Sequence, residues 1–401
     1  MSKARIQNSI LSGSITAPPS KSVAHRALIC AFLAGSGEVK GIEESKDILA
    51  TKNALEALNN GAEVINCCES GSTLRFLIPV AAALGRSVTF TGEGRLPERP
   101  IGEYIRLISR HGISLEGERL PLKISGKLES GKYEIAGNIS SQYITGLLFA
   151  LPLFEGDSSI ILTTRLESKP YVDMTVKVLG DFGIFIEETA DGYFIKGSQT
   201  YKNREYTVEG DWSQAAFFLA GGALTGEVSV SGLDMKSAQG DKRIVELLRA
   251  FGAEVELCGD TVKVKKSELY GININVSDIP DLVPILAVCA AFAKGKTVIT
   301  GGERLRLKES DRIKSVVENL KRMGVRAFET ADGMIIEGGV PRGASLKGCN
   351  DHRIVMAFSI AALCAEGETT IDDAQSIQKS YPSFFRDYNS LGGKADVISN
   401  G

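Results

Sequence analysis

Cationic side chains recur in this chain where helix physics discourages them. Lys21 and Arg26 follow Pro18-Pro19, Arg75 follows Ser70-Gly71-Ser72-Thr73, and Arg353 follows Asn350-Asp351, each at the opening of an apolar, helix-like run. A helix N-terminus carries partial positive charge, so a cation in its first turn is mildly destabilising. An anion held between those cations and the free N–H groups of the helix end removes the conflict. Taken singly, each cation has a plainer reading as partner of a carboxylate. Their number favours a shared anion.

Further cations lie outside such openings. Arg99, in Glu98-Arg99-Pro100-Ile101-Gly102, is biased towards extended backbone by the proline after it. Lys308 and Arg312 fall one turn apart on one side of a helix predicted over 309–323. Lys379 precedes Ser380-Tyr381-Pro382. A solvated helix face would explain Lys308, and a surface loop Lys379. Ser140-Ser141-Gln142 supplies two hydroxyls and an amide, and Ser168-Lys169-Pro170-Tyr171 a hydroxyl and a phenol. Such groups suit a phosphorylated sugar-like or cyclitol ligand, although a serine before a helix is most often an N-cap. Asp281, after Pro280, and Glu309 are the carboxylates placed for proton transfer; read alone they are an ordinary cap and a first-turn acid.

These groups are carried by a repeat. Glycines at Gly37, Gly85, Gly156, Gly226, Gly295 and Gly367, and again at Gly61, Gly112, Gly183, Gly252, Gly324 and Gly392, recur about every 70 residues after a shorter first interval of about 50. The clearest copy, 281–338, reads as a buried helix, a strand at 296–300, an amphipathic helix ending at Gly324, and two strands around Ala331-Asp332-Gly333. The fold class expected is α/β, in two domains of three repeated βαβαββ-type units each. A chain of 401 residues fits two such bodies. The expected division is 15–209 for the N-terminal domain and 1–14 plus 210–401 for the C-terminal one, with a strand over Arg5–Leu11 completing the last unit. The mouth at Gly210-Asp211 is assigned to the hinge.

Composition excludes several classes of function. Apolar residues at 43% and charged ones at 24% describe a globular protein, and a net charge of −3 argues against general nucleic-acid or anionic-membrane binding. Seven cysteines without a C-x-x-C pair read as reduced thiols. No signal-like stretch or membrane-length apolar run is present in the sequence, so a cytoplasmic location is expected. His25, His111 and His352 form no zinc pattern, and no nucleotide-binding glycine loop occurs. Neither a metal nor a cofactor is expected.

Taken in order, these motifs closely resemble the 5-enolpyruvylshikimate-3-phosphate (EPSP) synthases over nearly the whole chain. The resemblance implies two domains of the inside-out α/β barrel type, closing on substrate in an interdomain cleft, with the first strand in the C-terminal domain. It implies that Lys21, Gly71, Arg99, Gln142, Arg312, Arg353 and Lys379 surround phosphoenolpyruvate. Shikimate 3-phosphate would be held by Lys21, Ser22, Arg26, Ser140, Ser141, Gln142, Ser168, Asp281 and Lys308, with Tyr171 beneath its ring. Arg75 would order the second helix mouth. Transfer of the enolpyruvyl group to the 5-hydroxyl needs a base, an acid and cations; Asp281 is assigned as base, Glu309 as acid, and Lys21 as the cation near the bridging oxygen. No metal is required, because arginine and lysine neutralise the charge. The partners implied are the two small-molecule substrates, with a monomeric protein and no nucleic acid or membrane. Two positions depart from the usual pattern, Glu69 and Arg304, and Arg304 is left outside the site. The alternatives are a UDP-N-acetylglucosamine enolpyruvyl transferase, disfavoured because 95–102 lacks that family's cysteine, and a non-catalytic repeat clamp, disfavoured by Asp281 and Glu309 among the cations.

Overall fold

A computed structural model describes residues 2–399. In the fifth repeat, strands Asn273–Asn275, Lys296–Thr300, Arg326–Glu329 and Met334–Glu337 form one sheet, with the last strand lying between the second and third. The first two strands run parallel, Ile274 opposite Ile299, and Met334–Glu337 runs antiparallel to the second, Val298 opposite Ile335, and to its hairpin partner Arg326–Glu329. Helix Val283–Phe292 is apolar all round and buried from Val283 to Ala291. Helix Arg312–Arg322 buries only one stripe, including Ile313, Val316, Val317 and Leu320. Each βαβαββ copy thus sinks its first helix into the core and leaves the second half-exposed, as their patterns dictate. The six glycines Gly61, Gly112, Gly183, Gly252, Gly324 and Gly392 all have positive φ. They close the second helix of each copy, where the left-handed turn favours glycine.

The chain divides into two compact units: Lys21–Val208, and Met1–Ser20 with Glu209–Gly401. They are called here the N-terminal and C-terminal bodies. Residues 15–20 therefore lie with the C-terminal body, not the N-terminal one as expected. Strand Ser12–Thr16 holds them there, pairing parallel with Glu227–Ser231 so that Ile15 faces Val230. The first strand also differs from expectation. It covers Ser2–Gln7, not Arg5–Leu11, and lies between Thr369–Ile371 and Lys394–Ser399 in the sixth repeat's sheet. Leu11 follows in the connection to the next strand, with its side chain fully buried.

The first repeat is shorter because it lacks a hairpin. Its sheet has only two strands, Val39–Lys40 and Tyr206–Thr207. Helices Lys21–Leu33 and Lys46–Asn59 border a cavity of about 730 Å³ lined by Leu28, Phe32, Val39 and Ile42 among others. None of the predicted site residues lines it.

Candidate active site

In the C-terminal body four carboxylates and four cations converge at the openings of the helices that begin with Trp212, Arg312 and His352. Arg312, 1% exposed, is the hub. Its Nη1 donates to Asp281 Oδ1 at 2.8 Å, its Nη2 to Glu309 Oε2 at 2.7 Å, and its Nε to Asp351 Oδ2 at 2.9 Å. Arg353 Nη2 donates to the other Asp281 oxygen at 3.0 Å, and Lys308 Nζ lies 3.7 Å from Asp281 Oδ1. One guanidinium therefore holds the proposed base and acid side by side, and Asp281 is shared among three cations.

Local sequence explains the convergence. Asp351 caps helix His352–Cys364, accepting from the Arg353 N–H at 3.0 Å, while its second oxygen takes Arg312 and the Ser310 hydroxyl. Asp311 caps helix Arg312–Arg322. That helix begins at Arg312, so Lys308 is not one turn below it on a shared face, as expected. Lys308 instead sits in extended backbone after the 3-10 turn Glu303–Leu307, and reaches Asp281 from there. Asp281 lies in a 3-10 turn begun by Pro280, at Pro280–Leu282. Lys379 donates to the Asn350 carbonyl at 2.7 Å, beside Asp351.

The electrostatics are strongly polarised. Burial opposes ionisation of Asp281, but Arg353, Lys308 and Arg312 outweigh it and hold its carboxyl well below the usual range. Burial pushes Lys308 down to about 8, with Asp281 opposing the shift. Burial also opposes the charge on Arg312, yet Asp351, Glu309 and Asp281 keep it more firmly protonated than a free arginine. Asp241, 4% exposed, is pushed up to about 7 by burial and by the Asp281 charge, against Arg353 and a hydrogen bond from Ser213. Ser213 lies in the first turn after Gly210-Asp211, and its hydroxyl takes Arg353 Nη1 at 2.5 Å. The fourth mouth is thus not committed to the hinge alone. Ser213, Asp241 and Asp351 were not assigned from sequence; an Asp-x-Ser start and the Asp before Arg353 were the available signals.

In the N-terminal body the cations are held mainly by neutral oxygens. Arg26, 3% exposed, donates to the Ser22 carbonyl at 2.6 Å, the Tyr171 carbonyl at 2.8 Å and the Thr175 hydroxyl at 2.8 Å, and lies over the Phe76 ring. This joins the Lys21-Ser22 and Ser168-Tyr171 motifs. Ser168 adopts φ 56° as the residue before helix Lys169–Asp181. Lys21 Nζ meets Asp47 at 2.7 Å. Ser140 caps helix Ser141–Ala150, accepting from the Gln142 N–H. Gln142 then accepts from Arg75 at 3.1 Å and donates to Ser72 at 3.0 Å. Arg75 also reaches the carbonyls of Gly71 and Pro100, in the ordering role expected for it. A Cβ on Gly71 would come within 2.6 Å of both the Arg75 and Arg99 guanidiniums, so only glycine lets them lie against this helix opening. Arg99 is extended, as its proline requires. The Glu69 side chain packs against Gly94.

Among the described residues no cluster of three or more His, Cys, Asp or Glu is arranged to hold a metal ion, all seven cysteines are free, and no helix is long and apolar enough to cross a membrane.

The architecture is that of an enolpyruvyl transferase: the enzyme of that class named NikO from Streptomyces tendae superposes with a TM-score of 0.80 over 100% of this chain and 99% of its own, at 16% identity, which shows the fold alone. An EPSP synthase from Acinetobacter baumannii superposes with a TM-score of 0.82 over 100% of both chains at 27% identity. The sequence profile of EPSP synthase (3-phosphoshikimate 1-carboxyvinyltransferase) matches residues 6–388. The 3-phosphoshikimate 1-carboxyvinyltransferase of Clostridium kluyveri is 44% identical over 98% of this chain and 97% of its own, and that of Clostridium acetobutylicum 43% identical over 100% of both. The chain belongs to the EPSP synthase family.

Proposed function

We propose that this chain transfers the enolpyruvyl group of phosphoenolpyruvate to the 5-hydroxyl of shikimate 3-phosphate, releasing phosphate. Family membership supports the reaction, and the Arg312 fork supports the assignment of its proton-transfer groups. In the addition step the hydroxyl oxygen attacks C2 of phosphoenolpyruvate while C3 gains a proton. In the elimination step C3 loses a proton and the C2–phosphate bond breaks. Asp281 takes the hydroxyl proton, Glu309 delivers the proton to C3, and Lys21 stabilises charge at the bridging oxygen.

The pairing suggests how substrate switches this chemistry on. With Asp281 bound by Arg312 and Arg353, its carboxylate is ionised but weakly basic. Incoming phosphate and carboxylate groups compete for the same guanidiniums and, by drawing them away, raise the proton affinity of Asp281 and Glu309. Arg312, Arg353 and Lys379 serve phosphoenolpyruvate together with Lys21, Gly71, Arg99 and Gln142. Ser22, Arg26, Ser140, Ser141, Ser168 and Tyr171 serve shikimate 3-phosphate together with Lys308.

The test is phosphate release with both substrates, and with UDP-N-acetylglucosamine replacing shikimate 3-phosphate. Turnover is expected only with shikimate 3-phosphate. Turnover with the sugar nucleotide instead would overturn the proposal.

A further inference from the structure

His25 is 1% exposed and plays no part in the chemistry above. It lies one turn beyond Lys21 on helix Lys21–Leu33. Its Nδ1 is 2.8 Å from the Thr51 hydroxyl on helix Lys46–Asn59, and that hydroxyl is 2.6 Å from the Thr73 hydroxyl on helix Gly71–Ala83. Thr73 in turn donates to Ser70 Oγ at 2.7 Å, and Ser70 is the N-cap of the Gly71 helix. One imidazole and three hydroxyls thus join three helices within their first two turns.

The chain has a forced direction. Each hydroxyl has one proton to give. The Thr73 proton goes to Ser70, so Thr73 accepts from Thr51; Thr51 has then spent its proton and must accept from the imidazole. Nδ1 therefore carries the hydrogen. Nε2 is left as a lone-pair acceptor, buried without a hydrogen-bond partner, and the imidazole lies nearly perpendicular to the Phe76 ring. What the imidazole supplies that an apolar side chain cannot is the N–H at the head of this chain.

We infer that His25 is a positioning residue, a neutral Nδ1–H imidazole that fixes the Lys21-Ser22-Arg26 turn relative to the Ser70-Gly71 opening. The charges around it agree. Burial, Lys21 and Arg26 all disfavour the imidazolium, and Asp47, on the neighbouring helix, is paired with Lys21. The helix it sits on has no acidic residue in its first turn, so its two cations are steadied by tertiary ties. For the substrate affected, the inference rests on the function proposed above. The tautomer does not depend on it.

Two measurements on the full chain test it. Nitrogen-edited NMR of the three histidines should show His25 as the neutral Nδ1–H tautomer from pH 7.5 down to 5.5; an Nε2–H tautomer, or protonation in that range, would overturn the inference. In steady-state assays His25→Leu should raise the KM for shikimate 3-phosphate about tenfold or more, with a smaller fall in kcat, because Ser22 and Arg26 are misplaced together with Lys21 while Asp281 and Glu309 are untouched. His25→Asn, whose amide N–H starts from the same position as Nδ1, should restore KM. A folded His25→Leu protein with wild-type KM would sink the idea. Should that variant not fold, Thr51→Val breaks the same chain at its middle, and Thr51→Ser restores it; equal KM values for those two would also refute it. If the wild-type protein shows no turnover with these substrates, the proposed function fails while the NMR result still decides the tautomer.

Discussion

Arg26 and Arg312 are both buried arginines at helix openings, and they are held in opposite ways. Arg26 rests among carbonyl and hydroxyl oxygens, and burial lowers its proton affinity to a pKa of about 10. Arg312 is ringed by Asp281, Glu309 and Asp351, and its proton affinity rises. Neutral partners leave a full positive charge available for a bound anion. Carboxylate partners cancel the charge and leave groups able to trade protons. On the function proposed above, the first arrangement suits the binding of an anion and the second suits proton transfer.

Mutation can break this contrast. Asp281→Asn keeps the shape of the C-terminal cluster but removes its base, so turnover should fall by about 10²–10⁴ while the KM for phosphoenolpyruvate changes little. A phosphate-release assay checks this, and near-normal turnover would erase the chemical half of the contrast. Asp351→Ala strands the buried Arg312 and should cost about 3–5 kcal/mol in denaturant unfolding. Arg26→Met, which leaves only neutral acceptors behind, should cost about 1–2 kcal/mol. Equal losses would show that the two arginines are not held differently.

Titration sharpens the contrast with smaller effects. Lys308 loses its charge at about pH 8 in the free protein. Above that, kcat/KM for shikimate 3-phosphate should fall by about tenfold per pH unit. Lys308→Arg should flatten this limb of the pH profile. For His25 the folded pKa lies below the unfolded one, so below about pH 6.5 the unfolded chain binds a proton that the folded chain refuses. Its contribution to stability is complete above that pH and declines on acidification, by about 1.4 kcal/mol per pH unit. His25→Asn should remove that part of the acid slope, read from unfolding midpoints between pH 4.5 and 6.5.

Much of this organisation was legible in the residues. The glycine spacing revealed the repeat because a left-handed helix stop is a local demand. Ser70, Ser140 and Asp351 marked the openings because N-caps are local as well. What could not be read was which charges meet. Asp351 is a helix cap, but its second oxygen anchors Arg312, a contact decided by packing between distant segments. Ser213 was passed over for the same reason. Strand Ser12–Thr16 gave little signal because no residue in it is fully buried, and its partner around Val230 lies far along the chain. The start of the helix at Arg312, not Glu309, was set by Asp311 as cap, a competitor that a count of apolar positions does not reveal.

The exchange of that strand has a consequence for how the molecule is made. Ser20 donates to the Glu209 carbonyl and Pro19 bridges Gly210, so the two ends of the excursion through the N-terminal body leave and return side by side. Lys21–Val208 is a continuous stretch whose closing strand, Tyr206–Thr207, comes from its own end. A ribosome can therefore finish that body while the opening strands Ser2–Gln7 and Ser12–Thr16 still wait for partners. At about 5–20 residues per second, the wait of Ser12–Thr16 for Glu227–Ser231 lasts on the order of 10–40 s, and that of Ser2–Gln7 for its partners on the order of 20–80 s. Those strands remain unpaired edges until the second half of the chain emerges, and the polar surface of Ser12–Thr16, a liability for reading the fold, protects the nascent chain from pairing with the wrong one.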